Sequence, residues 1–201
     1  AYGMRGDRAS WRVRVEAGDG SRLTWRGQGF VVCDGAQVER STTVDLGTGA
    51  VVVLRELLVL GRTGEAGGRL HTTTRVAQAG PLLVEDLPLD GSEPRVGVLG
   101  GARVLETVSV LGRRAAATDL AAPAHRLELD GEGTLLRWWG THAHEGGLGH
   151  AWLAVTRDLL LPGGRPTSPT SPLPPSVPPM KQTDAATPAP AGAAAARAAP
   201  P

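Results

Sequence analysis

Three of the chain's five histidines fall within one stretch, T-H-A-H-E-G-G-L-G-H over 141–150. Imidazoles beside a carboxylate are the groups that ligate a transition metal or move a proton near neutral pH. His142, His144 and His150, with Glu145 among them, are therefore the metal candidates of this chain. Their spacing favours another role. The H-E-x-x-H pattern, which sets two imidazoles one helical turn apart, is missing. His142 and Glu145 share a helix face at i and i+3, and His144 points away from both. Gly146 and Gly147 interrupt any helix before His150. The stretch reads as a polar helix terminus with incidental metal affinity. The enzymatic alternative is a metal-dependent hydrolase using His142, His144 and His150. Against it, no serine or cysteine sits in a recognisable nucleophile elbow, and no ligand set is complete.

A second group of charges lies in A-V-V-V-L-R-E-L-L-V-L-G-R over 50–62. The apolar residues are nearly continuous, which predicts a strand covered on both faces. Arg55 and Glu56 stand in its middle. Adjacent strand residues point to opposite faces, so these two do not pair, and each needs its own buried partner. The glycine-rich G-R-T-G-E that follows brings Arg62, Gly64 and Glu65 into one loop. That loop reads either as a solvated turn with a surface ion pair or as a place where a partner's backbone approaches closely.

The elements around these charges are mostly strands. Trp11, Val13 and Val15 alternate with Arg12, Arg14 and Glu16, the period of a half-buried strand. Glycine clusters punctuate the chain at 17–20, 46–49, 78–81 and several other points. A weak repeat joins the segments 13–25, 42–54 and 74–86, each a strand, a tight glycine turn and a strand. Its spacing of roughly 30 residues suggests stacked antiparallel hairpins or solenoid-like layers. Nearer the C-terminus, Leu148, Trp152, Val155 and Leu159 form one stripe, so 148–161 is predicted helical. A first short helix is expected from Thr134 to about His144. The expected fold is mostly β, a β-helix-like stack with a small C-terminal helical part, occupying 1–161.

Composition bounds the rest. The formal net charge of +1 gives no electrostatic case for nucleic acid or an anionic membrane. No apolar run approaches the ~20 residues that span a bilayer. Cys33 is the single cysteine, so no internal disulfide forms, which fits a reducing, cytoplasmic setting. From Pro162 the chain turns to Pro, Ala, Ser and Thr, and 162–201 reads as a disordered tail. It carries P-x-x-P at Pro169–Pro172, Pro172–Pro175 and Pro175–Pro178, more simply a linker than a polyproline ligand.

Four blocks together resemble a known family: V-V-C-D-G-A-Q-V-E-R-S-T-T-V-D-L (31–46), L-R-E-L-L-V-L-G-R-T-G-E-A-G-G-R-L (54–70), P-L-L-V-E-D-L (81–87) and V-L-G-G-A-R-V (98–104). The chain is similar over roughly 8–160 to the urease accessory protein UreD, also called UreH. The run from Arg55 to Glu65 is the most specific piece. The resemblance implies a non-enzymatic scaffold with an elongated stack of strands. It implies binding to UreF, recruitment of the nickel GTPase UreG, and delivery of nickel to apo-urease through an internal tunnel. Nickel would be in transit, with no permanently bound cofactor. A conduit must release its ion, so isolated carboxylates suit it better than a full histidine cage. Glu56, Glu65 and Asp86 are the candidate path residues; the alternative is that these carboxylates serve only in structural ion pairs, to Arg55 and Arg62. Family members usually carry further strands before the point where A-Y-G-M-R-G-D-R begins, so the chain reads as N-terminally truncated. A stack without its first layers exposes an apolar face and an unpaired edge. A structural β-solenoid is the remaining alternative; it predicts an export signal, and this segment has no apolar signal core.

Overall fold

The alternation at Trp11–Glu16 appears in space as predicted. Val13, Val15 and Ala17 turn inward from an edge strand, while Arg12, Arg14 and Glu16 face solvent. The computed structural model describes residues 8–93, 95–116, 120 and 124–160. They form β1 (Arg8–Ala17), β2 (Arg22–Val32), β3 (Gln37–Leu46), β4 (Val51–Leu60), β5 (Arg69–Ala77), β6 (Pro81–Asp90), β7 (Val104–Leu111), β8 (Ala124–Glu128), β9 (Gly133–Gly140) and α1 (Gly149–Leu160). The protein is thus mostly β, with one α-helix on the C-terminal side of the described residues. The Pro-rich 162–201 segment, expected as a disordered tail, lies outside them.

The strands make two sheets, in the orders β1-β3-β5-β6 and β2-β4-β7-β9-β8. β1–β3, β3–β5 and β2–β4 are parallel, and the other neighbours are antiparallel. The expectation of antiparallel hairpins is corrected here. The glycine turns after β1 and β3 hand the chain from the first sheet to the second, and β1, β2 and β3 each pair with the strand two positions later. Successive turns bond one another: Gly20 N donates to Thr48 O (2.8 Å) and Gly47 N to Ala17 O (2.7 Å). The physical reason is coverage. A hairpin leaves both strands in one layer, whereas a crossing turn lays the apolar face of β1 or β3 against that of its successor. Of the three repeat units, only β5–β6 closes as a hairpin within one sheet.

β4 and β7 are buried on both faces because the first sheet covers one side and α1 the other. Val53, Val108, Leu136 and Trp138 pack against Leu148, Trp152, Val155 and Leu159, the stripe read from the sequence. Each fully buried Leu or Val there contributes on the order of 1.5–3 kcal/mol. The expected helix over Thr134–His144 is not formed. T-L-L-R-W-W is the core of β9, held between β7 and β8, and only Ala143–Glu145 makes a single 3-10 turn. Pairing on both sides outweighs the helix preference of Leu and Arg, and the two Trp favour the strand.

Candidate functional site

The two charges in the middle of β4 find separate partners in separate layers. Arg55 faces α1. Its Nε donates to Glu106 Oε1 of β7 at 2.7 Å and its Nη2 lies 2.6 Å from the same oxygen. Glu106 is 0% exposed. Its other oxygen accepts from the backbone N–H of Leu148 (3.3 Å), just before α1, where the helix start favours negative charge. Glu56 faces the first sheet and is ion-paired to Arg40 Nη2 of β3. Arg40 Nη1 reaches Thr72 Oγ1 at 3.4 Å, and Thr42 Oγ1 donates to Glu56 at 3.4 Å.

The Arg40–Glu56 pair belongs to a larger feature. The apolar residues between the sheets fall into two clusters, one around Val44, Val52 and Val76, the other around Leu58, Leu70 and Leu105. Polar side chains lie between them on six strands: Arg40 and Thr42, Glu56, Thr72 and Thr74, Glu85, Thr107 and Ser109, and Arg137. Arg137 and Glu85 join the sheets through two parallel bonds, Nη1 to Oε1 at 2.8 Å and Nη2 to Oε2 at 3.0 Å. Glu56, Thr72, Thr74, Glu85, Thr107, Ser109 and Arg137 line a void of about 20 Å³, enough for about one water. Glu56, Arg40 and Thr42 also line a cavity of about 330 Å³ that opens between β1 and β2. Glu56 thus lines both the wide cavity and the narrow one. The Nε groups of Arg40 and Arg137 are buried in this belt without a hydrogen-bond acceptor. Burying so many polar groups where aliphatic ones would fit costs stability, and a belt of this kind marks function more readily than folding.

The loop from Gly61 to Gly68 is tied to itself. Glu65 accepts from Arg62 N (2.9 Å) and Arg62 Nε (2.9 Å), and these bonds hold its carboxyl below the usual range. Arg103 donates from Nε (3.0 Å) and Nη2 (2.7 Å) to Leu60 O, and also to Glu65 O. The close backbone approach expected of its glycines is internal. A Cβ at Gly67 (φ +97°) would sit 2.7 Å from the Leu60 carbonyl carbon, and one at Gly61 would sit 2.8 Å from Gly67 N. Gly64 has open space around it. Arg62 and Glu65 are therefore the loop's own clamp.

His142 and His144 face that loop across an open depression of about 580 Å³, shared with Arg62, Thr63 and Gly64. The two rings are 5.4 Å apart. His142 Nδ1 lies 3.2 Å from Glu145 Oε1, and Glu145 Oε2 accepts from His142 N at 3.3 Å. This pair closes the 3-10 turn from its N-terminal side, with His142 at the cap, where a helix C-terminus was expected. His150 is exposed on α1. Among the described residues no group of three or more His, Cys, Asp or Glu is placed to hold a metal ion.

Asp86 lies on the outer face of the first sheet, with Oδ1 2.8 Å from His71 Nε2; His71 Nδ1 is 2.9 Å from Glu39 Oε2. The inward carboxylate of V-E-D is its neighbour, Glu85. The sequence carried the signal: Leu83, Glu85, Leu87 and Leu89 share one face at period two. Glu106, Arg40 and Arg137 were also not anticipated as partners of the β4 and β6 charges.

Comparison with known proteins places this geometry in a family. The family model described as UreD urease accessory protein matches residues 1–162. The chain is similar to urease accessory protein UreD 1 of Streptomyces griseus, 45% identical over 138 residues, covering 64% of this chain and 54% of the relative. It is 35% identical over 142 residues to urease accessory protein UreD of Paracoccus denitrificans, covering 66% and 50%. It is 37% identical over 145 residues to urease accessory protein UreD 1 of Saccharopolyspora erythraea, covering 70% and 50%. The chain spans about half the length of the curated relatives it matches. With the family model covering every described strand and α1, the chain belongs to the UreD family of urease accessory proteins.

Proposed function

We propose that this chain is a non-enzymatic maturation factor for urease, a cytoplasmic scaffold that acts with UreF and the nickel GTPase UreG to deliver nickel to apo-urease. Family membership supports the maturation role. The observation that carries the conduit reading is the polar belt between the sheets. Its donors are carboxylate and hydroxyl oxygens from Glu56, Glu85, Thr72, Thr74, Thr107 and Ser109, with no imidazole or thiolate among them. Such donors hold Ni²⁺ weakly enough for release, whereas a histidine or cysteine cage would retain it. Arg40 and Arg137 hold the two carboxylates in place and offset their charge, which tempers affinity further.

In this reading an ion enters the wide cavity between β1 and β2, meets Glu56, and passes toward Glu85. The narrow void beyond Glu56 admits about one water. The ion there exchanges its hydration shell for side-chain oxygens, or the sheets part locally. Glu65 and Asp86 stand outside the belt, so Glu56 and Glu85 carry the path.

The test is co-expression of the full chain with UreF, UreG and the urease subunits of the same source, followed by pull-down and nickel analysis of the urease. Capture of UreF is expected. Glu56→Gln with Glu85→Gln is expected to retain UreF while lowering urease nickel content several-fold. Soluble protein that ignores UreF, or full nickel loading by the double variant, would overturn the proposal.

A further inference from the structure

Each carboxylate of the polar belt is held by an arginine, but the two arginines are anchored differently. Arg40 is fixed at several points. It pairs with Glu56, its Nη1 reaches Thr72 Oγ1 at 3.4 Å, and its guanidinium carbon lies 5.9 Å from the centre of the Phe30 ring. Arg137 is fixed at one. Among the described residues its side chain bonds only Glu85, through Nη1 and Nη2, and its Nε is buried without an acceptor. Thr107 of β7 stands directly across from Arg137 in register, and both line the narrow void. Cross-strand neighbours on one face lie close, so a hydroxyl oxygen is at hand should the guanidinium leave Glu85.

The ligand atoms around that void do not by themselves select nickel. Glu56, Glu85 and the hydroxyls of Thr72, Thr74, Thr107 and Ser109 offer oxygen alone. Carboxylate and hydroxyl oxygens suit Mg²⁺, Ca²⁺ and Mn²⁺, of which Mg²⁺ is abundant in cells. Two bare carboxylates there would fill with such an ion. A guanidinium seated on one of them closes the site to any cation that does not displace it. Leaving a two-bond seat between partly buried groups costs free energy. An ion that binds its ligands strongly recovers that cost. Mg²⁺, which gives up its waters reluctantly, does not. In the divalent series Ni²⁺ binds a given site more tightly than Mn²⁺, Fe²⁺ or Co²⁺.

We infer that Arg137 is a selectivity gate in the belt. Its guanidinium occupies the cation seat at Glu85, yields it to Ni²⁺ and denies it to Mg²⁺, while Arg40 stays in place. The exchange breaks the two bonds from Arg137 to Glu85, and the released guanidinium turns to the Thr107 hydroxyl. The purpose of the gate rests on the nickel-path reading; its test uses the chain alone.

Ni²⁺ and Mg²⁺ are titrated separately into the full chain and read by calorimetry. Every protein compared, the parent included, carries His142→Ala, His144→Ala and His150→Ala, which takes the surface imidazoles out of the reading. The parent is expected to bind no Mg²⁺ at millimolar concentration. Arg137→Gln is expected to bind Mg²⁺ there, and to bind Ni²⁺ at least about tenfold more tightly than the parent. Adding Glu85→Gln is expected to remove both gains. Arg137→Lys keeps the charge but not the two-bond fork, and is expected to fall between. It carries the test if circular dichroism finds Arg137→Gln unfolded: its Ni²⁺ affinity should exceed the parent's, and the excess should vanish with Glu85→Gln. Unchanged binding in the folded variant, a gain that survives Glu85→Gln, or Mg²⁺ binding by the parent equal to that of Arg137→Gln would overturn the gate. The nickel path would still stand on the urease loading of Glu56→Gln with Glu85→Gln. Full loading by that double variant, with the Mg²⁺ gain of Arg137→Gln present, would instead remove the path and leave the cation seat.

Discussion

Arg55 and Glu56 are neighbours in the chain, yet their side chains lie on opposite sides of the second sheet and close ion pairs with different layers. Arg55 joins β4 to β7 beneath α1 through Glu106; Glu56 joins β4 to β3 across the sandwich through Arg40. One dipeptide thus sits in both interfaces of the central strand. The two pairs differ in surroundings. Glu106 is wholly enclosed and also holds the start of α1, while Glu56 borders open space.

That difference gives a stability prediction. Glu106→Gln leaves the Arg55 guanidinium buried without its counter-charge and is expected to cost about 3–5 kcal/mol. Replacing both partners, Arg55→Met with Glu106→Leu, is expected to recover part of the loss, the remainder reflecting the Leu148 N–H left without its acceptor. Urea denaturation of the single and double variants measures both. A single variant as stable as the parent would show that the pair is not closed in solution.

Ala79 supplies a prediction in the opposite direction. It sits in the turn of the β5–β6 hairpin with φ +54°, the only non-glycine residue at positive φ among those described. An L-residue there costs about 1–2 kcal/mol, partly offset by the smaller unfolded-state entropy of Ala relative to Gly. Ala79→Gly is expected to raise stability by about 0.5–1 kcal/mol. A fall in denaturation midpoint would contradict it.

Much of this architecture was written in local pattern. The repeat aligned from sequence at Val13, Thr42 and Thr74 is the register of the first sheet: Val13 pairs with Thr42, and Thr42 with Thr74. The helix stripe Leu148–Leu159 and the opposed faces of Arg55 and Glu56 were legible for the same reason, since side-chain period fixes direction. Whether a strand–turn–strand unit closes in one sheet or crosses between two was not legible, because both leave the same alternation. The polar belt was half visible. Leu70-x-Thr72-x-Thr74-x-Val76 and Leu105-x-Thr107-x-Ser109-x-Leu111 share an apolar, polar, polar, apolar inner face. The pairing of Arg40 with Glu56 and of Arg137 with Glu85 depends on tertiary contact and leaves no mark in either strand alone.

The outer face of the first sheet carries a pH response. His71 bridges Asp86 and Glu39, and the Asp86 bond above all raises its pKa above the ordinary 6.5. A raised folded pKa means that the bridge contributes in full below about pH 6.5 and is lost as pH rises through the folded value. The ring is well exposed, so the effect on stability is small. Proton NMR should place the His71 titration above 6.5, and Asp86→Asn should lower it more than Glu39→Gln. A His71 pKa at or below 6.5 would remove the bridge from solution.

The histidine stretch gives the last prediction. His142 and Glu145 close the 3-10 turn, and His150 stands exposed on α1. With no third ligand grouped beside His142 and His144 among the described residues, an ion there would be held by two imidazoles at most. Substituting His142, His144 and His150 together by Ala removes the His142 ring contact with Glu145 and leaves the bond from the backbone N–H in place. It should lower stability by no more than about 1 kcal/mol. The maturation reading places nickel in the belt of Glu56 and Glu85, behind β4 and away from these rings. Urease activation by the triple variant is therefore expected to stay close to that of the parent, in the co-expression assay with UreF and UreG. A several-fold fall, with the variant still folded and still capturing UreF, would move the metal-handling site from the belt to the surface depression shared by His142, His144 and Arg62.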